Sequence, residues 1–274
     1  MELTRRYLFN GSAAAYGGRF VRPDDVVLAA NGGSALSVVG GRSVWRARDI
    51  KFGRSFRIRS AETSAEGLVD NLRDAVRASH GKLPHDALTA TTSVMARCRG
   101  VEIGGAPPLK PGDEPEPVML AADVVGALLS RSNSPGHESS VIVQEAAISP
   151  VTFDSPVHGR FRLDVVIDFA PFKRADTRAK VIADKSILQV HGDKDLVFAT
   201  VVRELRWQKG RAYPGSKPLG TNGLYIPNLG RFYFGELIIQ AGTRRLTMIR
   251  AELGSPTGGA ATMSDVDTNG SWSL

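Results

Sequence analysis

Four times in this chain a pair of arginines flanks one apolar residue: Arg46-Ala47-Arg48, Arg57-Ile58-Arg59, Arg97-Cys98-Arg99 and Arg160-Phe161-Arg162. In an extended backbone successive side chains leave on opposite faces, so each triplet projects two guanidinium groups from one side and buries the residue between them. The pattern therefore predicts strands that are apolar inside and cationic outside. Arginine supplies 26 of the 35 basic residues. Its planar fork matches carboxylates, phosphates and tight ion pairs better than a lysine point charge does.

The rest of the chain favours sheet as well. Its 29 glycines and 15 prolines punctuate short apolar runs, the composition of many tight turns. Turn signals at Asn10-Gly11, Asn31-Gly32-Gly33 and Gly40-Gly41 divide the opening region into short strands. From Val141 onward the pattern is almost wholly strand, including Phe161 to Phe169, Val181 to Val190, Leu196 to Trp207 and Arg231 to Gln240. Two segments have helical spacing. Residues 65–79 place Ala65, Leu68, Val69, Leu72, Ala75 and Val76 on one stripe, with Thr63 and Glu66 as a capping box. Residues 118–131 are apolar on most sides, which predicts a buried helix.

The expected architecture is a β-rich α+β fold: antiparallel sheets, as a sandwich or partly closed barrel, with about two helices packed on them. Residues 1–131 form a β-rich region with two helices and an acidic, Pro-rich loop over 104–117. Residues 141–253 form an antiparallel β region continuous with the first, and residues 254–274 a Gly/Ser-rich tail. No apolar run of signal-peptide length follows Arg5-Arg6, and no stretch approaches the ~20 apolar residues of a membrane-spanning helix. With one cysteine, Cys98, no internal disulfide can form, which points to a reducing, cytoplasmic compartment and no membrane partner.

The formal net charge is +7, unevenly spread: residues 1–65 carry +6, residues 66–150 carry −4 and residues 151–274 carry +5. Complementary fields of this kind suit self-association, an acidic partner or nucleic acid.

Catalytic signatures are missing. Gly32-Gly33-Ser34-Ala35 lacks the last glycine of a nucleophile elbow, and neither phosphate-binding glycine motif occurs. His80 and His85 bracket a glycine and a proline, which spoils the helical spacing of a two-histidine metal site. His191, Asp193 and Asp195 gather an imidazole and two carboxylates, although His-Gly-Asp-Lys-Asp is equally a hairpin turn. Asp164 and Asp168 share a strand face with Arg160 and Arg162, as a cross-strand ion-pair ladder would. Glu236, placed by alternation on the Phe232, Phe234 and Ile238 face, is a buried-acid candidate with Arg245 or Arg250 as partner. Cys98 faces the core if its arginine neighbours face out.

The sequence therefore predicts a non-enzymatic assembly or interaction subunit with no catalytic residue, cofactor or metal. It self-associates or docks an acidic partner through Arg46, Arg48, Arg57, Arg59, Arg97, Arg99, Arg160 and Arg162, with Asp113, Glu114 and Glu116 as candidate acids of a second copy. The alternative is a single-stranded nucleic-acid or RNA-binding module with Tyr16, Trp45, Phe52 and Phe56 as stacking surfaces, although Trp45 and Phe56 fall on the opposite parity from the neighbouring arginines. A third reading is a hydrolase or metal-dependent enzyme built on His191, Asp193 and Asp195.

Overall fold

The computed structural model describes residues 7–21, 25–53, 56–70, 89–104, 111–112, 117–133, 138–187, 189–192, 196–254 and 258–272. They form two antiparallel sheets. The first has the order β10 (Gln189–Gly192), β11 (Val197–Thr200), β15 (Gly230–Gln240), β16 (Thr243–Leu253), β17 (Gly259–Trp272), β1 (Tyr7–Phe20) and β2 (Val26–Ala35). A hairpin of β13 (Lys217–Leu219) and β14 (Gly223–Ile226) is attached to β15. The second runs β12 (Val202–Trp207), β9 (Gly159–Ile167), β8 (Val151–Ser155), β6 (Val118–Ser132), β5 (Thr89–Gly104), β4 (Phe56–Asp70) and β3 (Gly41–Phe52), with β7 (Ser140–Ile148) also paired to β6. The sheets pack face to face, β17 and β1 lying over β5 and β6. One apolar core lies between them, from Ala13 and Tyr16 through Phe56, Val94, Met119, Phe153, Phe232 and Phe234 to Val266. Two short helices, Ala170–Arg174 and Arg178–Ala183, complete the β-rich α+β architecture. No helix among the described residues is long and apolar enough to cross a membrane.

The two described helices lie outside the segments whose spacing is helical. Residues 65–70 close β4, and 71–79 lie outside the described residues. In the extended chain Ala61, Thr63, Ala65 and Gly67 point inward while Glu62, Ser64, Glu66 and Leu68 alternate with them, and Thr63 spends its hydroxyl on Ser34 at 2.9 Å rather than on a helix cap. Leucines and alanines three and four apart satisfied both periods, and pairing with β3 and β5 decided the outcome. Residues 118–131 are β6, bonded to β5 on one side and to β7 and β8 on the other. An all-round apolar segment is also what a central strand looks like. Val181, expected to open a strand, belongs to the second short helix.

The turn signals at Asn10-Gly11 and Asn31-Gly32-Gly33 fall inside long strands. Gly11 is small because a β-carbon there would come within 2.8 Å of Thr92 Cγ2, and Gly32 because it abuts the Trp45 ring. The expected tail holds β17, a central strand between β1 and β16. Its small Ala, Ser, Thr and Gly residues let it lie close to its neighbours: a β-carbon on Gly270 would strike the Tyr7 hydroxyl at 2.0 Å.

Each sheet is creased along one row of residues. In the second sheet the row is Asp49, Arg59, Gly100 and Ala122; in the first it is Gly32, Ala15, Ser264, Met248 and Gly235. Every second strand carries a left-handed residue there: Asp49 (φ 52°) and Gly100 (φ 62°) in one sheet, Gly32 (φ 68°), Ser264 (φ 53°) and Gly235 (φ 58°) in the other. Across the row the in-and-out alternation shifts by one, much as at a β-bulge. Thus β5 buries Val94, Ala96 and Cys98 before Gly100 but Val101 and Ile103 after it, and β4 buries Phe56 and Ile58 but then Ala61 and Thr63. The crease of the first sheet meets β5 inside the sandwich, where Ser264 Oγ donates to the Ala96 carbonyl at 2.7 Å and Cys98 Sγ to the Ala15 carbonyl at 3.0 Å.

Gly235→Ala tests the crease, because its β-carbon would lie 2.6 Å from Val201 Cγ2 at a left-handed φ. The combined backbone and packing penalty is about 2–4 kcal/mol by urea unfolding. Gly159→Ala, left-handed at φ 79° but with nothing within 4 Å, loses about 1–2 kcal/mol. Equal losses would show that packing at the crease contributes nothing.

Candidate functional site

Strand pairing converts two of the sequence triplets into a rectangle of arginines. Arg46 lies across β3 and β4 from Glu62, which in turn faces Arg97 on β5; one row along, Arg48 faces Ser60, which faces Arg99. Four guanidiniums thus surround Ser60 and Glu62 on the outer face of the second sheet, with cross-sheet spacings of about 10 Å between β3 and β5. Together with Ala47 and Ala61 they line a shallow pocket of about 600 Å³. The residues behind them are core: Ala61 and Cys98 are buried, and Ala47 is half-buried.

The four differ in how they are held. Arg46 reaches Glu62 at 2.7 Å although its side chain remains 70% exposed. Arg97 and Arg99 make longer contacts, 3.5 Å to Glu145 and 3.9 Å to Asp123. Arg48 is exposed, and no ion pair among the described residues involves it. Solvent-exposed pairs of this kind are worth about 0–1 kcal/mol each, so an incoming carboxylate competes with them on nearly equal terms.

The other two triplets also face outward but stand apart from the pocket. Arg57 lies across the crease, between Lys51 and Glu102, and Arg59 on the crease itself. Arg160 and Arg162 project from β9, beyond β6 and β8. Arg160 is closed by a two-pronged pair with Asp154 at 2.7 and 3.0 Å, and that hydrogen bonding raises its pKa. Arg162 sits opposite Thr152. Asp164 accepts from Gln208, and Asp168 pairs with Arg203 of β12 as Arg160 does with Asp154 of β8, so the ion pairs run between neighbouring strands.

None of the aromatic residues considered for stacking lies on this face. Tyr16, Phe52 and Phe56 cluster inward with ring centroids 5.5–6.2 Å apart, and Trp45 meets Tyr16 edge-on at 6.3 Å. Cys98 is buried, and desolvation pushes its thiol up to about 12. Among the described residues no group of three or more His, Cys, Asp or Glu is placed to hold a metal ion. His80, His85, His137, Asp113, Glu114, Glu116, Asp193 and Asp195 lie outside the described residues, as does the side chain of His191.

The first sheet carries a second polar assembly on its own outer face. Glu236 does pair with Arg250, Nε to Oε2 at 2.7 Å and Nη2 to Oε1 at 2.8 Å, while Arg250 Nη1 donates to Glu252. It does so on the outer face with Tyr233 and Ile238, because the left-handed Gly235 separates it from Phe232 and Phe234. The Arg250 guanidinium also stacks on the Tyr233 ring, 4.0 Å from its centroid. Beside it Asp265 clamps Arg245 at 2.9 and 2.5 Å and accepts from Thr247 at 2.8 Å. Sequence reading reached Glu236, Arg245 and Arg250 but missed Asp265, since the segment containing it read as a tail.

Residues 7–80 match a family described as a domain of unknown function (DUF8256). The stretch includes β1 to β4 and hence Arg46, Arg48, Arg57 and Arg59. No curated protein and no solved structure matches the chain.

Two outcomes follow from these environments. The Cys98 thiol resists iodoacetamide at pH 8 in the native protein and is alkylated stoichiometrically in denaturant; rapid native labelling, read by mass spectrometry, would contradict its burial. Asp267, opposite Arg245, has its pKa raised by burial, countered by Arg245 and reinforced by Asp265. Its folded pKa exceeds the unfolded value of about 3.9, so ionisation weakens the fold at neutral pH and the penalty fades as pH falls below that value. Asp267→Asn therefore melts higher than the parent at pH 7, and the two melting curves converge below about pH 4.

Proposed function

We propose that this chain is a non-enzymatic interaction subunit that docks the acidic surface of a partner protein, a second copy of itself included, through the arginine rectangle of the second sheet. The observation that carries the reading is the grouping of Arg46, Arg48, Arg97 and Arg99 around one pocket with Glu62 as its single acid. Arg48 is unspent, and Arg97 and Arg99 are held at 3.5 and 3.9 Å by exposed acids. Guanidinium forks at fixed strand spacing recognise carboxylates through paired N–H donors. A protein acid fits this face better than a nucleic-acid base, which needs a stacking surface, and the rings nearest in sequence pack inward. A cytoplasmic setting accords with a single, buried thiol.

The test uses the full chain. A labelled polyglutamate peptide binds, and its affinity falls at least about tenfold between 50 and 500 mM salt because exposed charges are screened over a few ångströms at the higher value. Arg48→Glu combined with Arg99→Glu lowers the affinity at least about tenfold at 50 mM salt while leaving the melting temperature within about 2 °C. Light scattering behind size-exclusion chromatography at both salts shows whether a second copy is the partner. A monomer that ignores polyglutamate overturns the reading, and tighter, steeply salt-dependent binding of a mixed-sequence oligonucleotide replaces it with nucleic-acid binding.

A further inference from the structure

The outer face of the first sheet holds a groove of about 1,030 Å³, at the upper end of the range of about 300–1,000 Å³ typical of small-molecule sites. Its floor is β11, β15, β16 and β17, and its sides are the second short helix with the turn that follows it, and the turn between β13 and β14. Apolar side chains dominate the lining, namely Ile182, Ile187, Phe198, Leu219, Ile238 and the Tyr233 ring, while Asp184 and Lys185 add one charge of each sign on the helix side. Ile182 is 48% exposed, an apolar side chain standing at the rim of a concavity.

The polar groups in the floor are already satisfied, and the manner of their satisfaction narrows the ligand. Arg250 spends three of its five N–H donors on Glu236 and Glu252, and Arg245 spends two of its five on Asp265. An anionic ligand would have to displace a two-pronged carboxylate from a guanidinium held on both sides, a strong charge-assisted contact. A cationic one would meet acids that are already neutralised. Besides its remaining N–H groups, such a guanidinium offers a flat face that stacks on rings, as one face of Arg250 does on Tyr233. The charges of the floor are thus balanced pair by pair, beneath walls that are mostly aliphatic and aromatic.

We propose that this groove binds a neutral, planar aromatic or heteroaromatic small molecule, its ring laid over the carboxylate-paired guanidiniums of the floor and its apolar body against Phe198, Ile238 and Ile182. This site is separate from the arginine rectangle, which lies on the other sheet.

N-phenyl-1-naphthylamine, an uncharged planar fluorophore, is the probe. The full chain gives saturable, single-site fluorescence enhancement whose affinity changes less than about twofold between 50 and 500 mM salt, since no net charge is engaged. Phe198→Ala and, separately, Ile182→Glu each weaken binding at least about fivefold; Ile182 is exposed on a helix, so its variant folds even if the other does not. The Arg48→Glu, Arg99→Glu double variant binds the probe like the parent, whatever becomes of polyglutamate docking. The sulfonated analogue 8-anilino-1-naphthalenesulfonate binds at least about tenfold more weakly. Absence of saturable enhancement, enhancement untouched by both groove variants, or tighter binding of the sulfonate each overturns the proposal.

Discussion

Left-handed residues in alternate strands, aligned into one row per sheet, determine which side chains reach water. In β4 the inward residues after the crease are Ala61, Thr63 and Ala65; unbroken alternation would carry Arg57 and Arg59 into the core. In β5 it would bury Glu102, in β3 Lys51, and in β15 it would place Glu236 beside Phe234. The shift instead buries Phe56, Ile58, Val101, Ile103, Ile50, Phe52, Leu237 and Ile239 wholly or in part. An isolated buried charge costs several kcal/mol after relaxation, whereas a non-glycine residue in the left-handed region costs about 1–2 kcal/mol. That difference accounts for Asp49 and Ser264 adopting the conformation without being glycine.

The same row explains what could and could not be read from the amino-acid order. The Arg-x-Arg triplets were legible as outward-facing strand because each lies on one side of a crease or ends at it, where the period of two still holds. The β-rich antiparallel class was legible for the same reason. Helical spacing over 65–70 and 118–131 was a coincidence of small and apolar residues that long-range pairing overrode, since a strand buried between two neighbours needs no polar stripe. The glycines of β1 and β2 looked like turns because composition records that a side chain is missing without recording whether a bend or a close neighbour excludes it. For Gly11 and Gly32 the neighbours are Thr92 and Trp45, distant in sequence. Of the eight arginines, four converge, and no local signal says which four: convergence depends on the register of β3 with β4 and of β4 with β5.

Charge segregation along the chain also fails as a map of charge in space. The acidic middle segment turns Glu145 and Asp123 on its own Arg97 and Arg99 within the second sheet, and Arg46 of the basic first segment pairs with Glu62 of the same segment. The basic last segment neutralises itself: Arg160 with Asp154, Arg250 with Glu236 and Glu252, Arg245 with Asp265. Asp265 reaches Arg245 because β17 lies directly against β16, so the segment read as a tail supplies the clamp for part of the groove's floor.

The two outer faces consequently present the same residue type in opposite chemical states. On the second sheet guanidiniums stand at strand spacing with their donor edges partly free, and their field reaches outward until salt screens it. On the first sheet carboxylates held in register neutralise the guanidiniums, so the field falls off within the assembly and most of the groove is shape, ring faces and apolar walls. Raising the ionic strength therefore screens the field of one face and leaves the other nearly unchanged. Because the faces lie on opposite sides of a shared core, both are available to a single copy of the chain at once.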